Sequence, residues 1–131
     1  MGPMKLIVVD DETDIFKLYE LFLKKEINEG KLELHAFDGG KSCLEYLMNN
    51  GETNENCIAF TDINMPEMDG YTLLSEIKSH WPGIDVFMVS AYSRDDYQTK
   101  VKNLGAEKLI PKPVDFQYLK EIIESYLNKN I

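Results

Sequence analysis

"FTDINMPEMDG", residues 60–70, closes the apolar run Ile58, Ala59 and Phe60, and its first acid, Asp62, stands where that run stops. A short apolar run followed by a Pro-containing turn reads as a buried strand leaving a sheet. Turn chemistry accounts for Pro66, Asp69 and Gly70. It does not account for Asp62. Whether that carboxylate merely ends a strand or does chemistry depends on what the other strand ends carry.

Four more strands are legible around it. "KLIVV" (5–9) and "DVFMVS" (85–90) are short apolar runs, "KLELHAF" (31–37) alternates, and "EKLI" (107–110) is a brief fifth strand. Helical spacing separates them. Ile15, Leu18, Tyr19 and Phe22 mark the first helix; Leu44, Leu47 and Met48 the second; Leu74 and Ile77 the third, which stops at "WPG" (81–83). A more polar helix runs from about Asp95 to Gly105, a good C-cap residue. Phe116, Leu119, Ile122, Ile123 and Tyr126 mark the last, a stripe that is core before it is interface. "NNGETNEN" (49–56) is the one clear polar loop. Five βα units in a row predict a single α/β domain, a doubly wound (βα)5 fold with a parallel sheet covered on both faces.

The totals agree with this and exclude other classes. A chain of 131 residues fits one domain with a core of its own. A net charge of -9 argues against direct nucleic-acid binding and against an anionic membrane surface. Nothing approaches the length of a membrane-spanning run, and no secretory signal is visible, so the cytoplasm is the expected location. Cys43 and Cys57 lie in apolar patterns, as expected of buried free thiols. Met1–Pro3 reads as an expression remnant ahead of a domain over 4–131.

Ligands of open α/β sheets bind beyond the carboxyl ends of the strands. There the sequence puts Asp10 and Asp11 after strand one, Asp62 at strand three, Ser90 at strand four and Lys112 after strand five. Three carboxylates together repel unless cations offset them. Lys112 offsets part. An all-oxygen donor set selects a hard ion, Mg²⁺, for the rest. A carboxylate beside such an ion and an ammonium suggests phosphoryl transfer through an aspartyl phosphate.

The order "VVDDE" (8–12), "FTDINMPEMDG", "MVSAY" (88–92) and "PKPVDF" (111–116) resembles the receiver domain of two-component response regulators, the CheY-like family. The resemblance covers essentially the whole chain after Met4. It implies a flavodoxin-like fold with strand order 2-1-3-4-5. It implies that Asp62 takes a phosphoryl group from a histidine kinase or phosphotransfer protein. It implies that Asp11, Asp62 and the Asn64 backbone carbonyl ligate Mg²⁺, with Asp10 acting through water or by positioning the ion, and that Ser90 and Lys112 meet the phosphoryl oxygens. It implies a cis Lys112–Pro113 bond and an output face on the fourth helix, fifth strand and fifth helix, for an effector the sequence does not name. No effector domain follows the fifth helix, so a stand-alone regulator and an excised domain are both open.

Each residue has a plainer reading on its own: Asp10 and Asp11 as a turn and cap, Ser90 as structural, Lys112 as a solvated charge. The joint pattern carries the functional reading. Two other classes compete. An Mg²⁺-dependent phosphatase of the haloacid dehalogenase type would put its nucleophile on the first strand with a general acid two residues on, whereas Asp62 is on strand three and is followed by Asn64. A degenerate receiver would act only as a protein-interaction module. Leu109 keeps that reading open, because many receivers carry an aromatic residue there. Tyr92 is an aromatic suited to line the site entrance and restrict water.

Overall fold

The computed structural model describes residues 2–50, 56–92 and 95–129. Most of the "NNGETNEN" loop, residues 51–55, lies outside these. The elements run β1 (Met4–Val9), α1 (Ile15–Phe22), α2 (Lys24–Asn28), β2 (Leu32–Phe37), α3 (Gly40–Asn49), β3 (Cys57–Asp62), α4 (Gly70–His80), β4 (Asp85–Ser90), α5 (Asp95–Asn103), β5 (Lys108–Pro111) and α6 (Phe116–Lys129). All strand pairs are parallel, and the order is β2-β1-β3-β4-β5, as the resemblance implied.

Alternate residues of each central strand enter opposite cores, because strand side chains change face with period two. Ile7, Val9, Cys57, Ala59, Val86 and Met88 pack under one set of helices, with Cys43, Leu47, Leu73, Ile77 and Val101 from α3, α4 and α5. Leu6, Val8, Ile58, Phe60, Phe87 and Val89 pack under the other, with Tyr19, Leu119 and Ile123 from α1 and α6. β3 is buried along its whole length, which is why it reads as apolar without alternation.

The first helix differs from its expected form. It breaks at Leu23, where φ is -108° and ψ is 12°, and resumes as α2. Its inward residues are Tyr19 and Leu23, while Leu18 and Phe22 are exposed. Seven of the nine residues from Ile15 to Leu23 are apolar or aromatic, so spacing by itself does not select a face. Packing does: the Tyr19 ring meets Phe60 and Phe116, and Phe22 stacks on Phe116 from outside. Met48 likewise points outward, and Cys43 and Leu47 hold the inner face of α3. β3 extends two residues past "CIAF", so Asp62 is the last residue of the strand itself.

Candidate functional site

β1 delivers Asp10 and Asp11 to the carboxyl edge of the sheet, and β3 delivers Asp62 beside them. The parallel β1–β3 register, with Val9 opposite Thr61, brings the following acids level. Oxygens of Asp10, Asp11 and Asp62 all lie within 4.8 Å of one another. Asp10 and Asp62 are buried and Asp11 is exposed, so the cluster opens to solvent on one side.

Lys112 reaches this cluster from the end of β5. Its Nζ is 3.1 Å from Asp62 Oδ2 and 3.6 Å from Asp10 Oδ2. Its backbone is tied in as well, since the Lys112 N–H donates to the Ser90 carbonyl at 2.9 Å. The Lys112–Pro113 bond is cis. Ser90 is buried at the end of β4, and its Oγ accepts from the Tyr92 N–H at 3.0 Å. Among the described residues, neither the Ser90 hydroxyl nor Asn64 is hydrogen-bonded to a carboxylate. Asn64 is exposed on the loop leaving β3.

The electrostatics follow from crowding. Burial raises the Asp10 carboxyl above its ordinary value, and Asp62 and Glu12 add to this. The Glu12 N–H, which donates to Asp10 Oδ1 at 2.9 Å, and the Lys112 ammonium pull it back only in part. Burial pulls Lys112 down, but its hydrogen bond with Asp62 and the charges of Asp10, Asp62 and Glu12 outweigh this and hold it above its ordinary value. Three carboxylates against one ammonium leave two negative charges, the charge a divalent cation neutralises. The donors are all oxygen and one side is open to water, which fits Mg²⁺.

The loop after Asp62 is shaped by contacts that the sequence did not reveal. Gly70 N–H donates to the Ile63 carbonyl at 2.7 Å. A Cβ at Gly70 would stand 2.3 Å from the Asp62 carbonyl oxygen, so only glycine allows α4 to start this close to the end of β3. Asp69 caps α4 by accepting from Thr72 N–H at 2.9 Å, the turn chemistry expected of it. Glu67 takes a φ of 68°, a left-handed conformation that no sequence signal announces at a glutamate. Leu109 is fully buried, and Tyr92 is exposed with its ring 6.4 Å from that of Tyr97.

A family model described as the response regulator receiver domain matches residues 6–124. The two-component response regulator ORR1 of Oryza sativa subsp. japonica is 32% identical over 117 residues, covering 86% of this chain and 51% of that protein. The response regulator protein PilR of Pseudomonas aeruginosa is 31% identical over 127 residues, covering 97% of this chain and 27% of that protein. The chain thus spans about half, or less, of these relatives' length. Among solved structures, a CheY-like response regulator receiver domain protein from Methanospirillum hungatei JF-1 superimposes with a TM-score of 0.78 at 27% identity, covering 98% of this chain and 96% of that one. A CheX-CheY-BeF3-Mg+2 complex from Borrelia burgdorferi gives a TM-score of 0.79 at 26% identity, covering 95% and 90%.

Proposed function

The chain belongs to the response regulator receiver domain family, and from that premise we propose that it is a phosphorylation-controlled signalling module over residues 4–131, with Asp62 as the phosphoacceptor. The observation that carries the reading is the Asp62 carboxylate at a strand end, 3.1 Å from Lys112 and clustered with Asp10 and Asp11.

The donor is a phosphohistidine on a kinase or phosphotransfer protein. An Asp62 oxygen attacks phosphorus, the P–N bond breaks, and its electron pair leaves with the imidazole nitrogen, which takes up a proton. The product is an acyl phosphate on Asp62. Negative charge spreads over the equatorial oxygens during transfer. Lys112, 3.1 Å from Asp62, would meet one of them. Ser90 accepts from Tyr92 N–H, which leaves its own O–H to donate to another. Asp10, Asp11, Asp62 and the Asn64 carbonyl would hold Mg²⁺, which when bound neutralises phosphoryl charge. Lys112 leaves its bond with Asp62 for the phosphoryl group, and because its N–H is bonded to Ser90, β4 and β5 respond together. That response shifts the α5–β5–α6 face toward an effector. The module regulates rather than turning over a substrate. Among the described residues no helix is long and apolar enough to cross a membrane, and we place the module in the cytoplasm with no direct nucleic-acid contact.

Incubation with acetyl phosphate and Mg²⁺ followed by intact mass tests this. One labile phosphoryl adduct is expected, absent in Asp62→Asn and absent with chelator. Loss of the adduct from the unaltered chain points instead to a degenerate receiver, and turnover of diverse phosphate esters to a phosphatase.

A further inference from the structure

β5 is the last strand of the sheet, with β4 on one side and no strand on the other among the described residues. Backbone groups on such an edge are open to water or to a foreign strand. Leu109 is an exception. Its N–H donates to Gln98 Oε1 at 3.2 Å, and its carbonyl accepts from Gln98 Nε2 at 2.9 Å. One carboxamide gives Leu109 the acceptor and the donor that a neighbouring strand's backbone would give.

The position of this pair matters. Gln98 follows Ser90 by eight residues, through the connection that holds Tyr92, and Leu109 precedes Lys112 by three. Ser90 is in register with Pro111, and Lys112 N–H donates to the Ser90 carbonyl. The Gln98–Leu109 pair therefore joins the two chain segments that carry the Ser90 hydroxyl and the Lys112 ammonium. Where many receivers carry an aromatic ring, this chain has a fully buried leucine whose backbone makes the link.

We propose that Gln98 is a positioning residue for phosphoryl transfer, pairing with both backbone groups of Leu109 so that β5 holds Lys112 against Asp62. The proposal rests on the reading of Asp62 as phosphoacceptor. Gln98→Met keeps the length of the side chain and removes both hydrogen-bonding ends. Gln98→Glu keeps an acceptor for the Leu109 N–H but, when ionised, offers no donor to its carbonyl.

Two readouts on the full chain separate the possibilities: amide hydrogen exchange at Leu109 by NMR, and the rate of Asp62 phosphorylation by acetyl phosphate with Mg²⁺. Gln98→Met is expected to raise Leu109 exchange about tenfold, the scale of two lost hydrogen bonds, and to slow phosphorylation severalfold. Gln98→Glu is expected between it and the parent in both. Faster exchange with equal phosphorylation rates makes Gln98 a structural tie only and overturns the positioning role. Unchanged exchange overturns the pairing itself. Should Gln98→Met fail to fold, Gln98→Glu carries both comparisons. An unaltered chain that takes no phosphoryl group defeats the reading of Asp62, and the positioning role with it, while exchange at Leu109 still reports the pairing.

Discussion

At the carboxyl end of the sheet Lys112 Nζ lies 3.1 Å from Asp62 Oδ2; at the amino end Lys120 Nζ lies 3.8 Å from Glu26 Oε2. The two lysines are similarly exposed, at 24% and 28%, and both carboxylates are buried. The ends differ in how many acids share the lysine. Asp10, Asp11 and Asp62 crowd around Lys112, whereas Glu26 has an oxygen with no hydrogen-bond partner among the described residues. A buried ion pair is not by itself a site. Like charges held together at strand ends, with fewer cations than acids, are unfavourable without a further cation, and the proposed function puts the chemistry at this carboxyl end.

The largest effect should separate the two lysines. Lys112→Ala is expected to slow phosphorylation by acetyl phosphate about a hundredfold, as when one preorganised donor is lost from a transition state. Lys120→Ala should leave the rate unchanged. Equal losses in the two variants would erase the distinction between the ends. Stability should divide the other way. Lys120→Ala leaves Glu26 without its cation and should cost about 1 kcal/mol in urea unfolding, a partly exposed pair being screened. Glu26→Met should be neutral or stabilising by about the same amount. A Glu26→Met chain that is several kcal/mol weaker would show that this carboxylate supports α2 in a way its single long contact does not reveal.

The sequence was most legible where chemistry and pattern coincided. β4 begins and ends where "DVFMVS" does, and the strand-end acids are brought together as the order of βα units required. It was least legible where several packings satisfy one pattern. The apolar residues of α1 fit more than one helical face, and the choice of Tyr19 and Leu23 was made by Phe60 and Phe116, far away in sequence. Gly70 read as a turn residue because its function there, a close approach to the Asp62 carbonyl, exists only once β3 and α4 are packed. Gln98 left no trace, because one polar residue on a polar helix is ordinary until a strand edge lies beside it.

Asp10 offers a finer contrast. Burial raises its carboxyl above the ordinary 3.8, so the folded chain holds that proton more tightly than the unfolded chain. The stability of the metal-free protein should therefore fall as pH rises from about 3.8 through the higher folded value. Lys112 gives the same sign in a higher window: its raised value adds stability below 10.5 that is lost as pH rises through the folded value. Asp10→Asn removes the first loss and keeps an acceptor for Glu12 N–H. It should stabilise the metal-free chain by about 1 kcal/mol at neutral pH, the usual scale when a site is relieved of its functional strain, and should weaken Mg²⁺ binding. Parallel unfolding curves for the two chains across the acid range would remove Asp10 from the account.

Tyr92 gives the smallest expected effect and the most local one. Its N–H holds Ser90 Oγ at 3.0 Å, while its ring, 62% exposed, stands toward Tyr97. Alanine keeps that N–H, so Tyr92→Ala removes the ring and leaves the Ser90 contact in place. An aspartyl phosphate is lost to attacking water, and the proposed role of the Tyr92 ring is to restrict that water. The half-life of the adduct, followed by intact mass after acetyl phosphate is removed, should shorten severalfold in Tyr92→Ala and stay unchanged in Glu26→Met at the far end. An unaltered half-life in Tyr92→Ala would limit the residue to its backbone and leave the lifetime of the phosphoryl group to Lys112 and Ser90.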